Sequence, residues 1–130
     1  MPKPAGRSDD APRARVLVVE DDPATREGID ALLREEGLAV DTACNGNEAL
    51  AYLKSAERPL LILLDLTMPG MTGWEFRRRQ RADPSLADIP VVVMTAHKEY
   101  GESVTALEAD GHLQKPVRPE ELKGVVERFL

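Results

Sequence analysis

Sulfur and imidazole ligands are nearly missing from this sequence. Cys44 is the single cysteine, so neither an internal disulfide nor a cysteine-based metal cage can form. The two histidines, His97 and His112, do not complete a His/Cys cluster of the kind that holds zinc. No apolar run approaches the roughly 20 residues that a membrane-spanning helix needs, and the N-terminus has no signal-peptide apolar stretch. The expected setting is therefore cytoplasmic, with no membrane role. An excess of positive charge is missing too. Seventeen lysines and arginines face 23 acidic residues, giving a net charge of −6 and a pI near 5.0. Such a chain is a poor candidate for direct nucleic-acid binding or for attachment to anionic membranes. The first 15 residues carry four basic and two acidic groups (+2), which leaves −8 for the rest.

What the chain does contain is a globular composition. Its 130 residues are 42% hydrophobic and 31% charged, enough for one domain that buries about two-thirds of its unfolded surface. Residues 1–14, with Pro2, Pro4, Gly6, Ser8 and Pro12 among charges, are expected to be a flexible tail, and residues 15–130 the folded domain. Three apolar runs, Val16 to Val19, Leu60 to Leu64 and Ile89 to Met94, are unbroken rather than alternating. Central strands of a parallel sheet need that pattern, because helices cover both faces. Val40 to Cys44 and His112 to Gln114 are weaker strands. Asp22-Pro23 is a helix cap with proline at the first helical position, followed by Ile29, Leu32 and Leu33 as an apolar stripe that ends at Gly37. Further helices are expected over Asn47 to Ser55, Gly73 to Ala82, Glu99 to Glu108, and from Pro119 onward. That is βα repeated five times. Right-handed crossovers turn the string into a three-layer α/β fold, a five-stranded parallel sheet in the flavodoxin-like order 2-1-3-4-5.

Ligands of such a sheet sit beyond the carboxyl ends of its strands. Strand 1 finishes in Glu20-Asp21-Asp22, strand 3 in Asp65 and strand 4 in Thr95, while Lys115-Pro116 follows strand 5. Two like charges about 4 Å apart repel by roughly 4 kcal/mol at an effective dielectric of 20. Glu20, Asp21 and Asp65 therefore call for a compensating cation, and an all-oxygen set of few protein ligands suits Mg²⁺.

Val18-Val19-Glu20-Asp21-Asp22, Leu64-Asp65-Leu66-Thr67-Met68-Pro69-Gly70, Met94-Thr95-Ala96 and Lys115-Pro116 resemble, in order, the motifs of the receiver (CheY-like) domain of two-component response regulators. The resemblance covers about Arg15 to Leu130. It implies that Asp65 accepts a phosphoryl group from the phosphohistidine of a sensor histidine kinase or a histidine phosphotransfer protein, or from a small phosphodonor. It implies that Asp21, Asp65 and the backbone carbonyl of Thr67 ligate Mg²⁺, with Glu20 acting directly or through water. Thr95 would hydrogen-bond one phosphoryl oxygen and Lys115 would pair with another. A cis Lys115-Pro116 bond is also implied. Thr67 and His97 would flank the water that hydrolyses the acyl phosphate and so tune its lifetime.

The resemblance further implies a switch. Thr95 and Lys115 move toward the phosphoryl group, and the side chain at 112 turns inward. His112, a smaller side chain, stands where the family has an aromatic such as tyrosine or phenylalanine, which bears on how the switch is gated. The stretch from Thr95 to Lys115 is short, as though the family's Gly-Ala pair before the last strand were absent. The downstream protein target would meet the face made by the fourth helix, the last strand and the closing helix. Nothing follows Leu130, so no attached output domain is expected, and the chain is a monomer or a phosphorylation-dependent dimer. Arg77, Arg78, Arg79 and Arg81 read as a solvated helix surface, Trp74 as packed on the sheet or rimming the loop, and Cys44 as a small core hydrophobe.

Two other functions suit the fold class. A Mg²⁺-dependent phosphatase of the haloacid-dehalogenase type needs an acid two residues past its nucleophile, where this chain has Thr67. A flavin or nucleotide carrier needs a phosphate cradle after strand 1, where Glu20-Asp21-Asp22-Pro23 would repel phosphate. The chain is expected to catalyse only its own phosphorylation and dephosphorylation, not to turn over a substrate.

Overall fold

The computed structural model describes residues 14–55, 58–96 and 107–130. Five strands and four helices occupy them: β1 (Arg15–Val19), α1 (Pro23–Glu35), β2 (Ala39–Ala43), α2 (Gly46–Ser55), β3 (Leu61–Asp65), α3 (Gly73–Ala82), β4 (Val91–Thr95), β5 (Gly111–Gln114) and α4 (Pro119–Glu127). The sheet is parallel in every pair and runs β2-β1-β3-β4-β5, the expected order. The helix expected over 99–108 lies outside the described residues except for a turn at 107–108.

The unbroken apolar runs become the interior of the sheet. All of β3 and β4 is buried, as is β1 after Arg15. Successive side chains of a strand point to opposite faces, so the runs feed two separate cores. Leu17, Val19, Ile62, Leu64, Val91 and Val93 meet Ala49 and Leu53 of α2 and Phe76 of α3. Val16, Val18, Leu61, Leu63, Val92 and Met94 meet Ile29 and Leu33 of α1 and Leu122 and Val126 of α4. Helices on both faces make the three layers.

The helix boundaries follow local chemistry. Asp22 caps α1, its side chain accepting from the Thr25 backbone N–H at 2.9 Å and the Thr25 hydroxyl at 2.6 Å, and Pro23 opens the helix. Gly37 turns the chain at φ +85° just beyond it. Thr72 caps α3 by accepting from Glu75 N–H at 3.2 Å. Glycine is required at the next position: a Cβ on Gly73 would lie 2.4 Å from the carbonyl oxygen of Asp65. The start of α3 is thus pressed against the end of β3.

Three local expectations are corrected. Arg77 is not on a solvated surface but buried, because the inner face of α3 meets backbone carbonyls as well as apolar side chains. Its guanidinium donates to Leu107 O at 3.1 Å, Glu108 O at 2.7 Å and Gln80 Oε1 at 2.9 Å. Gln80, also buried, donates in turn to Leu86 O and Ile89 O. Cys44 is not in the core: it is half-buried just past β2, with its thiol 3.5 Å from Glu48 Oε2. The turn before β5 is also present despite the short stretch. Glu108 adopts the left-handed conformation itself, at φ +52°, and Ala109 follows it. Arg81 pairs with the Glu108 carboxylate at 2.6 Å. Trp74 packs against the core on the α2–α3 side, as expected.

Candidate functional site

Four elements deliver the polar groups. The register of β3 against β4 sets Asp65 beside Met94, so the last residue of β3 and Thr95 of β4 end at the same rim of the sheet. Glu20 continues β1, its N–H donating to Ala43 O at 3.0 Å. Lys115 follows β5, with its own N–H on Thr95 O at 2.7 Å, and the Lys115–Pro116 bond is cis.

The side chains converge there. Glu20, Asp21 and Asp65 each offer a carboxylate oxygen within 4.8 Å of the others. Glu20 and Asp65 are buried and Asp21 is half-buried. Lys115 Nζ lies 2.9 Å from Glu20 Oε1 and 3.1 Å from Asp65 Oδ1. Asp65 Oδ1 also accepts from Thr67 N–H at 3.2 Å, and Glu20 Oε2 from Asp22 N–H at 3.2 Å. Three buried oxygens here, Glu20 Oε1, Asp65 Oδ2 and Thr95 Oγ1, make no hydrogen bond among the described residues, and of these Glu20 Oε1 has the Lys115 ammonium beside it at 2.9 Å. An unpaired polar atom out of water costs about 1–3 kcal/mol, so the site is poised for a ligand that pairs with these oxygens.

Electrostatics point to the same ligand. Burial, then the neighbouring Glu20 charge, push the Asp65 carboxyl up to about 7, and Lys115 only partly offsets them. Burial works against the charge of Lys115, but its hydrogen bond to Glu20 and the charges of Asp65 and Glu20 outweigh it and raise its pKa. Three carboxylates against one ammonium leave a formal −2 in this nest. A hard divalent cation matches both that charge and the all-oxygen donor set.

The remaining residues of interest lie as follows. Thr67 is exposed in the loop after Asp65, which Gly70 turns at φ +75°. His112 is exposed on β5. His97 is outside the described residues. Sequence reasoning passed over Arg26. Its guanidinium reaches back from the first turn of α1 to the Glu20 carbonyl at 3.0 Å and the Asp21 carbonyl at 3.3 Å. A cation one helical turn past an acidic loop was the available signal.

Known proteins are similar to this chain in sequence and fold. The family model described as response regulator receiver domain matches residues 16–127. The DNA-binding response regulator MtrA of Mycolicibacterium smegmatis is 40% identical over 115 residues, covering 87% of this chain and 49% of MtrA. The chain likewise spans 51% of the similar response regulator Rre1 of Synechocystis, so about half the length of these curated relatives. The chemotaxis protein CheY4 of Vibrio cholerae superposes with a TM-score of 0.83 at 34% identity, over 92% of this chain and 100% of that one. The receiver domain of the sensor histidine kinase PA1611 of Pseudomonas aeruginosa, with a magnesium ion coordinated in its active-site cleft, gives 0.82 at 27% identity, over 91% and 98%. No helix among the described residues is long and apolar enough to cross a membrane. With the family model spanning nearly the whole folded region, this chain belongs to the receiver domains of two-component response regulators.

Proposed function

We propose that residues 15–130 form a phosphorylation-switched receiver, preceded by the tail 1–14, in which Asp65 takes a phosphoryl group from the phosphohistidine of a sensor histidine kinase or a histidine phosphotransfer protein. The observation that carries this is the buried Asp65 Oδ2, without a hydrogen-bond partner among the described residues, on a carboxylate that converges with those of Glu20 and Asp21 and has the Lys115 ammonium 3.1 Å from its other oxygen.

Glu20, Asp21, Asp65 and the carbonyl of Thr67 would hold Mg²⁺. Bound there, the ion supplies charge neutralisation for the carboxylates and for the phosphoryl oxygens. The chain's own groups do the rest. An Asp65 oxygen attacks phosphorus, the phosphorus–nitrogen bond of the donor breaks, and its electron pair stays on the imidazole. Lys115, already held at the Asp65 oxygens, pairs with one phosphoryl oxygen. The Thr95 hydroxyl donates to another, which gives its buried oxygen the partner it lacks. Burial of Asp65 limits the access of bulk water to the acyl phosphate, and Thr67 and His97 tune its hydrolysis.

The new anion adds about −1.5 to −2 charge. Thr95 and Lys115 are drawn toward it, and His112 turns from its exposed position toward the space vacated. The reshaped β5 and α4, with the segment preceding β5, then meet a downstream protein, or a second copy of this chain. The product of this chemistry is a changed surface rather than a released molecule.

Incubation with acetyl phosphate and MgCl₂, followed by intact mass measurement, tests this. Wild type gains one phosphoryl group and Asp65→Asn gains none. A wild type that stays unmodified with several phosphodonors, or an Asp65→Asn protein modified equally, refutes it. Sustained hydrolysis of a chromogenic phosphate ester would instead favour a phosphatase.

A further inference from the structure

The arginine in the first turn of α1 makes contacts that its helix does not need. Arg26 follows Pro23, Ala24 and Thr25, and its backbone N–H already donates to Asp22 O at 2.9 Å. Its guanidinium turns back over the β1–α1 loop to the carbonyls of Glu20 and Asp21, at 3.0 and 3.3 Å. These two residues supply two of the three carboxylates that lie within 4.8 Å of one another. The guanidinium therefore meets their backbone and leaves their carboxylate oxygens to the site. An ion pair would have turned those oxygens away from Asp65.

Resting on the metal assignment above, we infer that Arg26 is a positioning residue for the divalent cation, clamping the Glu20 and Asp21 carbonyls so that both carboxylates stay convergent before the ion arrives. Such a clamp is needed because Glu20 and Asp21 are consecutive acids whose carboxylates converge with that of Asp65, and their mutual repulsion works to open the loop. Lys115 opposes that repulsion at Glu20 and Asp65. Asp21 has Arg26 on its carbonyl. The remaining nearby acid, Asp22, is engaged as the cap of α1. Fixing the donors in advance lowers the ordering cost that the ion would otherwise meet.

Charge and geometry predict opposite outcomes, which makes the inference testable. A nearby guanidinium repels a divalent cation, so on charge alone its removal tightens Mg²⁺ binding. If positioning dominates, removal weakens binding. MgCl₂ is titrated into wild type, Arg26→Leu and Arg26→Lys by calorimetry, with fluorescence of Trp74, the single tryptophan, as a second probe and circular dichroism as a check of folding. Both variants should bind Mg²⁺ at least threefold more weakly, because lysine keeps the charge but not the guanidinium geometry. Equal or tighter binding by Arg26→Leu overturns the clamp, and if that variant does not fold, Arg26→Lys decides by the same criterion. Hydrogen exchange of the 20–22 amides in metal-free protein is a reading independent of Mg²⁺. It should quicken at least threefold in the variants, and unchanged exchange overturns the clamp. A wild type that binds no Mg²⁺ refutes the metal assignment instead, and the exchange rates still decide the clamp.

Discussion

In metal-free protein, Asp65→Asn should stabilise the fold, and the gain should depend on pH. Burial and the Glu20 charge raise the Asp65 carboxyl from 3.8 to about 7. A folded-state pKa above the unfolded value means that this group favours folding fully only below about pH 4. That contribution drains away as pH rises toward 7 and is gone above it. Each pKa unit corresponds to about 1.4 kcal/mol, so ionised Asp65 weakens the metal-free fold by at most about 4 kcal/mol at pH 8. Asparagine is close in shape and stays neutral. It forfeits the ion pair with Lys115, however, which trims the expected gain to about 2–4 kcal/mol. Groups remote from the site contribute alike to both proteins, so the measured quantity is the difference between variant and wild type. Urea unfolding in EDTA at pH 5 and pH 8 should show that difference growing by about 2–3 kcal/mol between the two. Saturating Mg²⁺ should narrow it, since the ion stabilises the wild-type nest more than the variant's. A variant less stable than wild type at pH 8, or a difference that does not change between pH 5 and pH 8, would refute the claim that repulsion and burial dominate at Asp65.

Four further substitutions probe the supports of the site. Arg77→Leu strips partners from the Leu107 and Glu108 carbonyls and from Gln80 Oε1, and should cost about 2–4 kcal/mol in urea unfolding. Arg78→Leu on the exposed side should stay within about 0.5 kcal/mol, and equal costs would contradict the burial of Arg77. Glu108→Gly removes a left-handed non-glycine residue, and should raise stability by about 0.5–1 kcal/mol once the exposed pair with Arg81 is subtracted. A loss of stability would mean that the pair outweighs the backbone. Gly73→Ala places a methyl 2.4 Å from Asp65 O, and should both destabilise the domain by about 1–3 kcal/mol and slow phosphorylation from acetyl phosphate. An unchanged rate would uncouple α3 from the acceptor.

Much of this site was legible because a parallel sheet aligns the ends of its strands. Unbroken runs such as Leu61–Leu64 suit interior strands, and right-handed crossovers leave a handful of arrangements for five βα units, of which the order 2-1-3-4-5 is the one observed. Acids at the ends of β1 and β3, a threonine at the end of β4 and a lysine after β5 must then share a rim, whatever lies between them in sequence. Nothing local reveals that Arg77 is buried. Its neighbours Arg78 and Arg79 are exposed, and its partners Leu107 and Glu108 lie about 30 positions away. Cys44 misled for the complementary reason: β2 ends at Ala43, one residue before it, so the side chain falls past the sheet. Glu108 looked like the loss of a Gly-Ala turn, since composition does not show that a non-glycine residue is held left-handed there.

Pattern and handedness by themselves determined the parallel sheet and the roster of groups at its carboxyl ends, because strand period and crossover chirality are properties of the backbone that every sequence obeys. Tertiary structure alone decided which atoms are paired. Lys115 bridges Glu20 and Asp65, Arg26 takes carbonyls instead of carboxylates, and Asp65 Oδ2 is left without a hydrogen-bond partner among the described residues. The contacts of Lys115 with Glu20 and Asp65 in particular join residues far apart in the chain, which meet only when the strand ends align.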